Sequence, residues 1–207
     1  MKCIVVSAFL CMSLAAGAQI HWAIKAGAQI SSAGYKRAGE KISTNTIAGF
    51  NAGILGKIYF DDKVAFVSGF VYSGKGYKVK TLPGDTLKTY RLHYGEIPVM
   101  VQFDLSKTGG KGFYCKVGPS IGIGISGKET YTGPTGMEIH NNVVLSMTGN
   151  HLGVFDASLN AALGYADSKR FFAEMAYAYG IGNINNDPNG PNIKSRVLSL
   201  SVGYFLR

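Results

Sequence analysis

Residues 153–181 read GVFDASLNAALGYADSKRFFAEMAYAYGI, and this stretch decides the fold. In its first half, 153–165, large apolar side chains occupy odd positions, and the even positions are mostly small or polar, with Asp156 among them. The second half, 171–181, repeats the pattern after a polar turn at 167–169. Because successive side chains of a strand point to opposite faces, we predict two antiparallel strands, each with one apolar face.

The same alternation continues outward along the chain. Its periodicity predicts eight strands in total, at 22–30, 46–60, 64–76, 89–104, 113–126, 153–165, 171–181 and a closing segment from Val197 to Leu206. In the segment 46–60 the sequence leaves open which set of positions faces inward. In the other segments the two faces are assigned by apolarity.

The connections between these segments alternate in length. Long connections are predicted near 31–45, 76–88, 127–149 and 182–193, and short ones at 61–63, 106–111 and 167–169. Transmembrane barrels of the bacterial outer membrane have an even number of antiparallel strands, short periplasmic turns and longer outer loops. The layout therefore predicts an all-β, eight-stranded antiparallel transmembrane β-barrel with both termini on the short-turn side.

A soluble β-sandwich is the alternative fold. Its outer face would carry many Lys, Glu and Thr side chains, whereas the less apolar face here is mainly Gly, Ser, Ala and Asn. Eight strands enclose an interior that side chains can just fill, and small residues with isolated charges suit it. Aromatic residues near strand ends are typical of the girdles at membrane interfaces: Trp22, Tyr59, Phe60, Tyr90, Phe103, Phe113, Tyr165, Phe171, Phe172, Tyr204 and Phe205. These features favour the barrel.

The N-terminus has the features of a secretory signal peptide. Lys2 is followed by an apolar run and by the small-residue site Ala16-Gly17-Ala18. We therefore predict a signal peptide at 1–18, a barrel domain at 19–207 and export to the bacterial outer membrane. Cys115 would be the single cysteine of the mature chain, which excludes an internal disulfide.

The chain is basic, with a formal net charge of +9. Its Lys and Arg residues are scattered, and no basic helix or basic-aromatic platform collects them, so nucleic acid is not expected as a partner. Basic proteins also bind anionic surfaces. The expected partners are outer-membrane lipid or lipopolysaccharide and other envelope proteins, and the sequence leaves the oligomeric state open.

Five charged residues fall on the predicted inner face. They are Lys25, Glu96, Lys116, Asp156 and Glu174. Charges in a narrow interior must be paired and hydrogen-bonded, so we predict a lumenal charge network that fills the core. The alternative is a small selective pore lined by the same charges.

No motif predicts chemistry. Residues 122–127, GIGISG, match a dinucleotide fingerprint formally, but the glycines continue a strand alternation instead of opening a helix. Four histidines remain after the leader, His21, His93, His140 and His151, and no spacing places them as metal ligands or as catalytic bases. We expect no catalytic, cofactor or metal site and therefore no enzyme.

Several short motifs resemble, in order, the outer-membrane beta-barrel family common in Bacteroidetes, the group that includes PorT-like proteins. They are Lys25-Ala26-Gly27, Ala48 to Gly53, Tyr72 to Gly76, Tyr94-Gly95-Glu96-Ile97-Pro98-Val99, Gly118-Pro119, Tyr177 to Gly180 and Ser201 to Phe205. The chain departs from the family pattern at Phe70, where an inward Glu is common, and at its end, where Leu206 and Arg207 follow the aromatic residue.

The resemblance implies a barrel fold and no assigned chemistry. PorT itself belongs to the type IX secretion and gliding machinery, so an accessory role in secretion is one alternative function. The other alternative is a small pore. The prediction favoured by the residues is a non-enzymatic outer-membrane barrel with a structural or interaction role in the envelope.

Overall fold

The computed structural model describes residues 20–37, 39–81, 86–106, 111–133, 137–143, 145–146, 152–167, 170–187 and 190–206. The predicted signal peptide and His151 lie outside the described residues. Eight long strands are numbered here β1 (Ile20–Arg37), β2 (Ile47–Tyr59), β3 (Val64–Thr81), β4 (Thr86–Asp104), β5 (Gly112–Thr132), β6 (Phe155–Asp167), β7 (Phe171–Gly180) and β8 (Asn192–Phe205). Short strands occupy Glu40–Ile42, Thr44–Asn45, Glu138–Asn142, Leu145–Ser146 and Leu152–Gly153. Among the described residues no helix is long and apolar enough to cross a membrane.

The eight long strands close into a ring. Each pairs antiparallel with the next, and β8 returns to β1 in a register that runs from Ala23 opposite Phe205 to Lys36 opposite Asn192. A closed ring leaves no sheet edge, which the hydrocarbon core of a membrane requires. The predicted eight-stranded antiparallel barrel is confirmed.

The two faces of the ring differ in polarity as predicted. Leu200 and Val202 are each 64% exposed on the outside, whereas Ser201 between them is 2% exposed inside. A soluble sandwich would bury its apolar face instead. The open question in β2 is resolved, because Asn51 faces inward and Phe50 outward.

Four aromatic residues assigned to the girdle point into the barrel instead: Tyr59, Tyr90, Phe172 and Phe205. Phe172 is 5% exposed and packs against Phe205 with ring centroids 5.2 Å apart, and the Tyr59 hydroxyl donates to Asp104 at 3.2 Å. Strand parity explains the correction, since these positions belong to the inward set. The outward aromatics at this end do form pairs, as between Phe171 and Tyr204, whose centroids are 5.0 Å apart.

The strands reach further on the long-loop side than the sequence predicted. The connection placed at 76–88 is mostly strand, because β3 continues to Thr81 and β4 begins at Thr86. The connection placed at 127–149 is also partly strand, since β5 runs to Thr132 and pairs with Glu138–Asn142. Inward packing explains the extension: Tyr77 stacks on Tyr90 with centroids 4.9 Å apart. The polar outward residues of these hairpins give them the composition of loops.

Candidate functional site in the barrel lumen

The first group of lumenal charges lies near the short-turn end and is centred on the Glu174 carboxylate. We call Lys25, Tyr114, Lys116 and Glu174 the Glu174 cluster. Lys25 Nζ lies 3.4 Å from Glu174 Oε1, and Lys116 forms a close ion pair with Oε2. The Tyr114 hydroxyl donates to Oε2 at 3.1 Å. The residues project inward from β1, β5 and β7, so the cluster ties three strands together across the interior.

A second group lies nearer the outer end. This Lys75 cluster consists of Lys75, Glu96, Asp156 and Ser195. Lys75 Nζ donates to Asp156 Oδ2 at 2.6 Å and to Glu96 Oε1 at 2.7 Å, and Ser195 Oγ donates to the same Asp156 oxygen at 2.8 Å. The ammonium also lies 4.4 Å from the centroid of the Tyr94 ring. Charge-assisted bonds and a cation–π contact therefore surround one enclosed cation.

A third pair closes the short-turn end. Lys57 Nζ lies 3.7 Å from Asp104 Oδ2 and 4.3 Å from the Tyr59 ring centroid. Gln102 donates to the other oxygen, Asp104 Oδ1, at 2.5 Å. Four lysines and four acids thus meet inside the barrel, and their formal charges cancel.

Neutral polar side chains bridge the remaining width. Gln29 Nε2 donates to Ser73 Oγ at 3.0 Å, Asn51 Nδ2 donates to Gln29 Oε1 at 3.2 Å, and Ser201 Oγ donates to Asn51 Oδ1 at 3.0 Å. This chain of hydrogen bonds joins β8, β2, β1 and β3. Satisfied polar networks of this kind rigidify an interior.

A cavity of about 70 Å³, lined by both polar and apolar side chains, lies in the middle of the lumen. Its lining includes Lys25, Gln29, Glu96, Ser120 and Asn160. A cavity of this size with several polar groups in its lining can hold a few water molecules.

Packed apolar clusters lie beyond both ends of this cavity. Toward the outer end Tyr77, Leu92, Tyr94, Ile184 and Ile193 are buried together. Toward the short-turn end the corresponding residues are Ala23, Tyr114, Ala166 and Phe172, with Phe205 against them. In the described part of the chain, packed side chains therefore narrow the lumen on both sides of the cavity.

The five charges singled out from the sequence all project inward, but they divide between two clusters. Lys25, Lys116 and Glu174 meet in one, whereas Glu96 and Asp156 belong to the other, where their shared partner is Lys75. Lys75 was not singled out from the sequence, although it lies in the predicted strand 64–76, and its side chain is 6% exposed. Strand parity could have found it, because odd positions of β3 face inward.

Lys57 and Asp104 were also missed. The inward parity of β2 was undecided from the sequence, so Lys57 could not be placed. Asp104 ends β4 as it ends the predicted strand 89–104, and the inward parity of Glu96 and Gln102 in that strand could have found it. The run 122–127 lies within β5, where Gly122 and Gly124 follow the inward set.

Two of the described histidines, His93 and His140, lie outside the lumen, and His21 packs edge-on against Tyr59 at the short-turn end with ring centroids 5.8 Å apart. His93 Nδ1 is 2.5 Å from the Tyr72 hydroxyl on the outer surface. His140 is 3.1 Å from Thr130 Oγ1 and 3.7 Å from a Glu138 oxygen, but the His140 and Glu138 side chains are 67% and 54% exposed. Thr130 and His140 are cross-strand neighbours, and Glu138 lies two residues before His140 on the same strand. Their proximity therefore follows from the geometry of an exposed hairpin. In the described ranges no group of three His, Cys, Asp or Glu side chains is placed to hold a metal ion.

An all-strand ring with an apolar outer face and an ion-paired interior defines a transmembrane β-barrel of the bacterial outer membrane. The chain belongs to the outer membrane protein beta-barrel domain family, whose model matches residues 15–186. The protein is accordingly an outer-membrane protein of the bacterial envelope.

Three solved structures show how far the similarity extends. Ail of Yersinia pestis is 15% identical, with 91% of this chain and 99% of that chain covered and a TM-score of 0.48. Neisserial surface protein A is 16% identical, with coverages of 88% and 96% and a TM-score of 0.48. The N-terminal barrel domain of Pseudomonas aeruginosa OprF is 13% identical, with coverages of 91% and 100% and a TM-score of 0.37. These likenesses carry no argument about function. A comparison with curated protein sequences finds no match.

Proposed function

We propose that this protein is a closed, non-enzymatic barrel with a structural or interaction role in the outer membrane. The observation that carries the proposal is the pairing of the lumenal charges with one another. An ion pathway needs charges that a passing ion can approach. Here Lys75 and Lys116 are enclosed by their own carboxylate partners.

Planar-bilayer recording tests the closed lumen. The folded wild-type protein should give no steady conductance steps. The double variant Lys75→Ala/Lys116→Ala is the informative comparison, because it removes the central cation of both clusters, and Lys36→Ala/Lys41→Ala is a control with equal charge loss on the outer surface. Steady wild-type steps that disappear or change selectivity in the lumenal variant alone would contradict the proposal and favour a small pore.

A role as accessory of a secretion machine is the second candidate. The order of short motifs from Lys25-Ala26-Gly27 to the closing Ser201 to Phe205 favours it, because the PorT-like group shares that order. The test is affinity purification from gently solubilised envelopes after crosslinking. Recovery of a stoichiometric envelope complex would support this role, and recovery of the barrel alone would favour the structural role.

The proposal also assigns no catalytic role to the exposed His140. Purified protein should not hydrolyse phospholipid or peptide substrates above the level of a His140→Ala variant. A turnover that this variant loses while keeping its fold would contradict the assignment.

A further inference from the structure

The excess positive charge of the described residues is concentrated at one end of the barrel. Among the described residues the lumenal charges cancel, and Asp61, Asp62 and Asp167 at the short-turn end are matched in number by Lys63, Lys111 and Arg170. Lys107 and Lys169 of the predicted short turns lie outside the described residues. The outer end holds ten cations against four acids. The cations are Lys36, Arg37, Lys41, Lys78, Lys80, Lys88, Arg91, Lys128, Lys194 and Arg196, and the acids are Glu40, Glu129, Glu138 and Asp187.

Three of these cations form a group on the outward face of adjacent strands. Arg91 of β4 is paired directly with Lys128 of β5. Lys78 of β3 is paired with Thr89, which puts it diagonal to Arg91. Directly opposite Cβ atoms lie about 5 Å apart and diagonal ones about 7–8 Å apart. We call Lys78, Arg91 and Lys128 the β3–β5 cation group.

The β3–β5 cation group contains no acidic residue that would balance its charge. None of its members forms an ion pair with another residue in the described ranges, and Arg91 and Lys128 are exposed. Glu129 adjoins Lys128 in sequence but belongs to the inward set opposite Tyr90. Like charges directly opposite on a sheet repel, so an external anion would relieve the arrangement.

The depth of the group follows from the residues beneath it. One row toward the membrane, Tyr72 and His93 form their hydrogen bond, and next come Phe70, 56% exposed, and Ile97, 42% exposed. From the hydrocarbon core outward, the order expected across a membrane interface is apolar residues, then aromatic residues with polar tips, then cations. The cations therefore stand at the level of the outer-leaflet headgroups.

We propose that the β3–β5 cation group binds the phosphate groups of a phosphorylated lipid in the outer leaflet. Arg and Lys form short, charge-assisted hydrogen bonds with phosphate, and the acyl chains of such a lipid would lie along the apolar surface below. The proposal depends on the outer-membrane location and is independent of the closed lumen, so conductance and lipid binding can fail separately.

The test measures binding of bis-phosphorylated lipid A to the folded barrel in neutral detergent by native mass spectrometry. The variant Lys78→Ser/Arg91→Ser/Lys128→Ser should bind roughly 100-fold more weakly, because each cation near an anionic surface contributes about a tenfold effect or somewhat less. Dephosphorylated lipid A should bind wild type as weakly as the variant binds the phosphorylated form. Heat modifiability on gels confirms that each variant is folded.

The matched control is Arg37→Ser/Lys41→Ser/Arg196→Ser, which removes the same charge from the outer end at positions that are not paired with one another. It should retain wild-type affinity within about threefold, a small effect beside the 1.4 kcal/mol of a tenfold change. An equal loss in both triple variants would show general attraction and overturn the site. Unchanged lipid A binding by the β3–β5 variant would also overturn the site. If that variant lost binding to soluble alginate while its lipid A binding stayed intact, the group would be a polysaccharide-binding surface, and the lipid proposal would be overturned.

Discussion

Asp156 is the most deeply buried charged residue among the described residues. Its side chain has no exposed surface. Oδ2 accepts from Lys75 and Ser195, whereas Oδ1 has no hydrogen-bond partner among the described residues, and the same holds for the buried Tyr94 hydroxyl. An unsatisfied buried polar atom costs about 1–3 kcal/mol. The Lys75 cluster is therefore tightly paired on one side and unsatisfied on the other.

Replacing the central cation should be costly. Lys75→Met leaves the buried Asp156 and the half-buried Glu96 without a positive partner, so we expect the free energy of unfolding to fall by about 3–5 kcal/mol. Urea unfolding of the barrel in lipid vesicles measures this. The control is Lys111→Met, because Lys111 and Asp167 are 3.8 Å apart with side chains 56% and 60% exposed, and it should change stability by less than about 0.5 kcal/mol. Equal effects in the two variants would contradict the assigned role of Lys75.

Removing the Tyr94 hydroxyl should affect the free energy of unfolding in the opposite direction. Tyr94→Phe keeps the ring beside Lys75 and deletes the unsatisfied oxygen, so stability should stay unchanged or rise by up to about 1 kcal/mol. Tyr114→Phe is the comparison, since its hydroxyl donates to Glu174, and it should lose about 1.5–3 kcal/mol. The same unfolding measurement distinguishes them, and a destabilised Tyr94→Phe would show that its hydroxyl has a partner.

Glycines on the inner faces of the strands make room for lumenal aromatic rings. A Cβ at Gly164 of β6 would collide with the ring and hydroxyl of Tyr114, and one at Gly203 of β8 would collide with Phe172. Both rings belong to the apolar cluster that closes the short-turn end. The glycines on the inner face thus let strands of a narrow barrel accept large side chains from across the lumen.

Filling one of these spaces should displace the ring above it. Gly164→Val pushes Tyr114 away from Glu174, and overpacking of this kind costs about 1–3 kcal/mol. Ala161→Val on the same strand is the control, because Ala161 faces outward and is exposed, and it should stay within about 0.5 kcal/mol of wild type. Heat modifiability on gels, followed over temperature, reports both effects. A Gly164→Val variant as stable as wild type would show that Tyr114 can move freely.

The charge of the described residues is distributed unevenly along the barrel axis. Among these residues the charges cancel in the lumen and at the short-turn end, and the outer end carries ten cations against four acids. The layout of outer-membrane barrels places these hairpins at the cell surface and the short turns in the periplasm. The orientation follows from loop length and not from charge.

Cysteine labelling measures this orientation. In a Cys115→Ser background, Lys41→Cys should react with a membrane-impermeant maleimide on intact cells. Asp62→Cys, an exposed position in a short turn, should react only after the outer membrane is permeabilised. The reverse pattern would place the termini outside and contradict the orientation.

Most of the architecture was predictable from residues such as Leu200, Ser201 and Val202. A period of two fixes which side chains share a face, and eight such segments with alternating connections predict a closed barrel. Strand ends were less predictable, because Tyr77 and Tyr90 stack within a hairpin whose outward residues are polar. Local composition there resembles a loop, and only cross-strand packing shows that pairing continues.

The sequence by itself determined that Lys25, Glu96, Lys116, Asp156 and Glu174 face inward, since facing depends only on position along each strand. Which charge meets which was decided by the tertiary structure. Lys75 joins Asp156 across 81 positions of the chain, and Lys25 joins Glu174 across 149. Such pairings depend on how the ring closes and on the stagger between strands, and this information is distributed over all eight registers and is absent from any single segment.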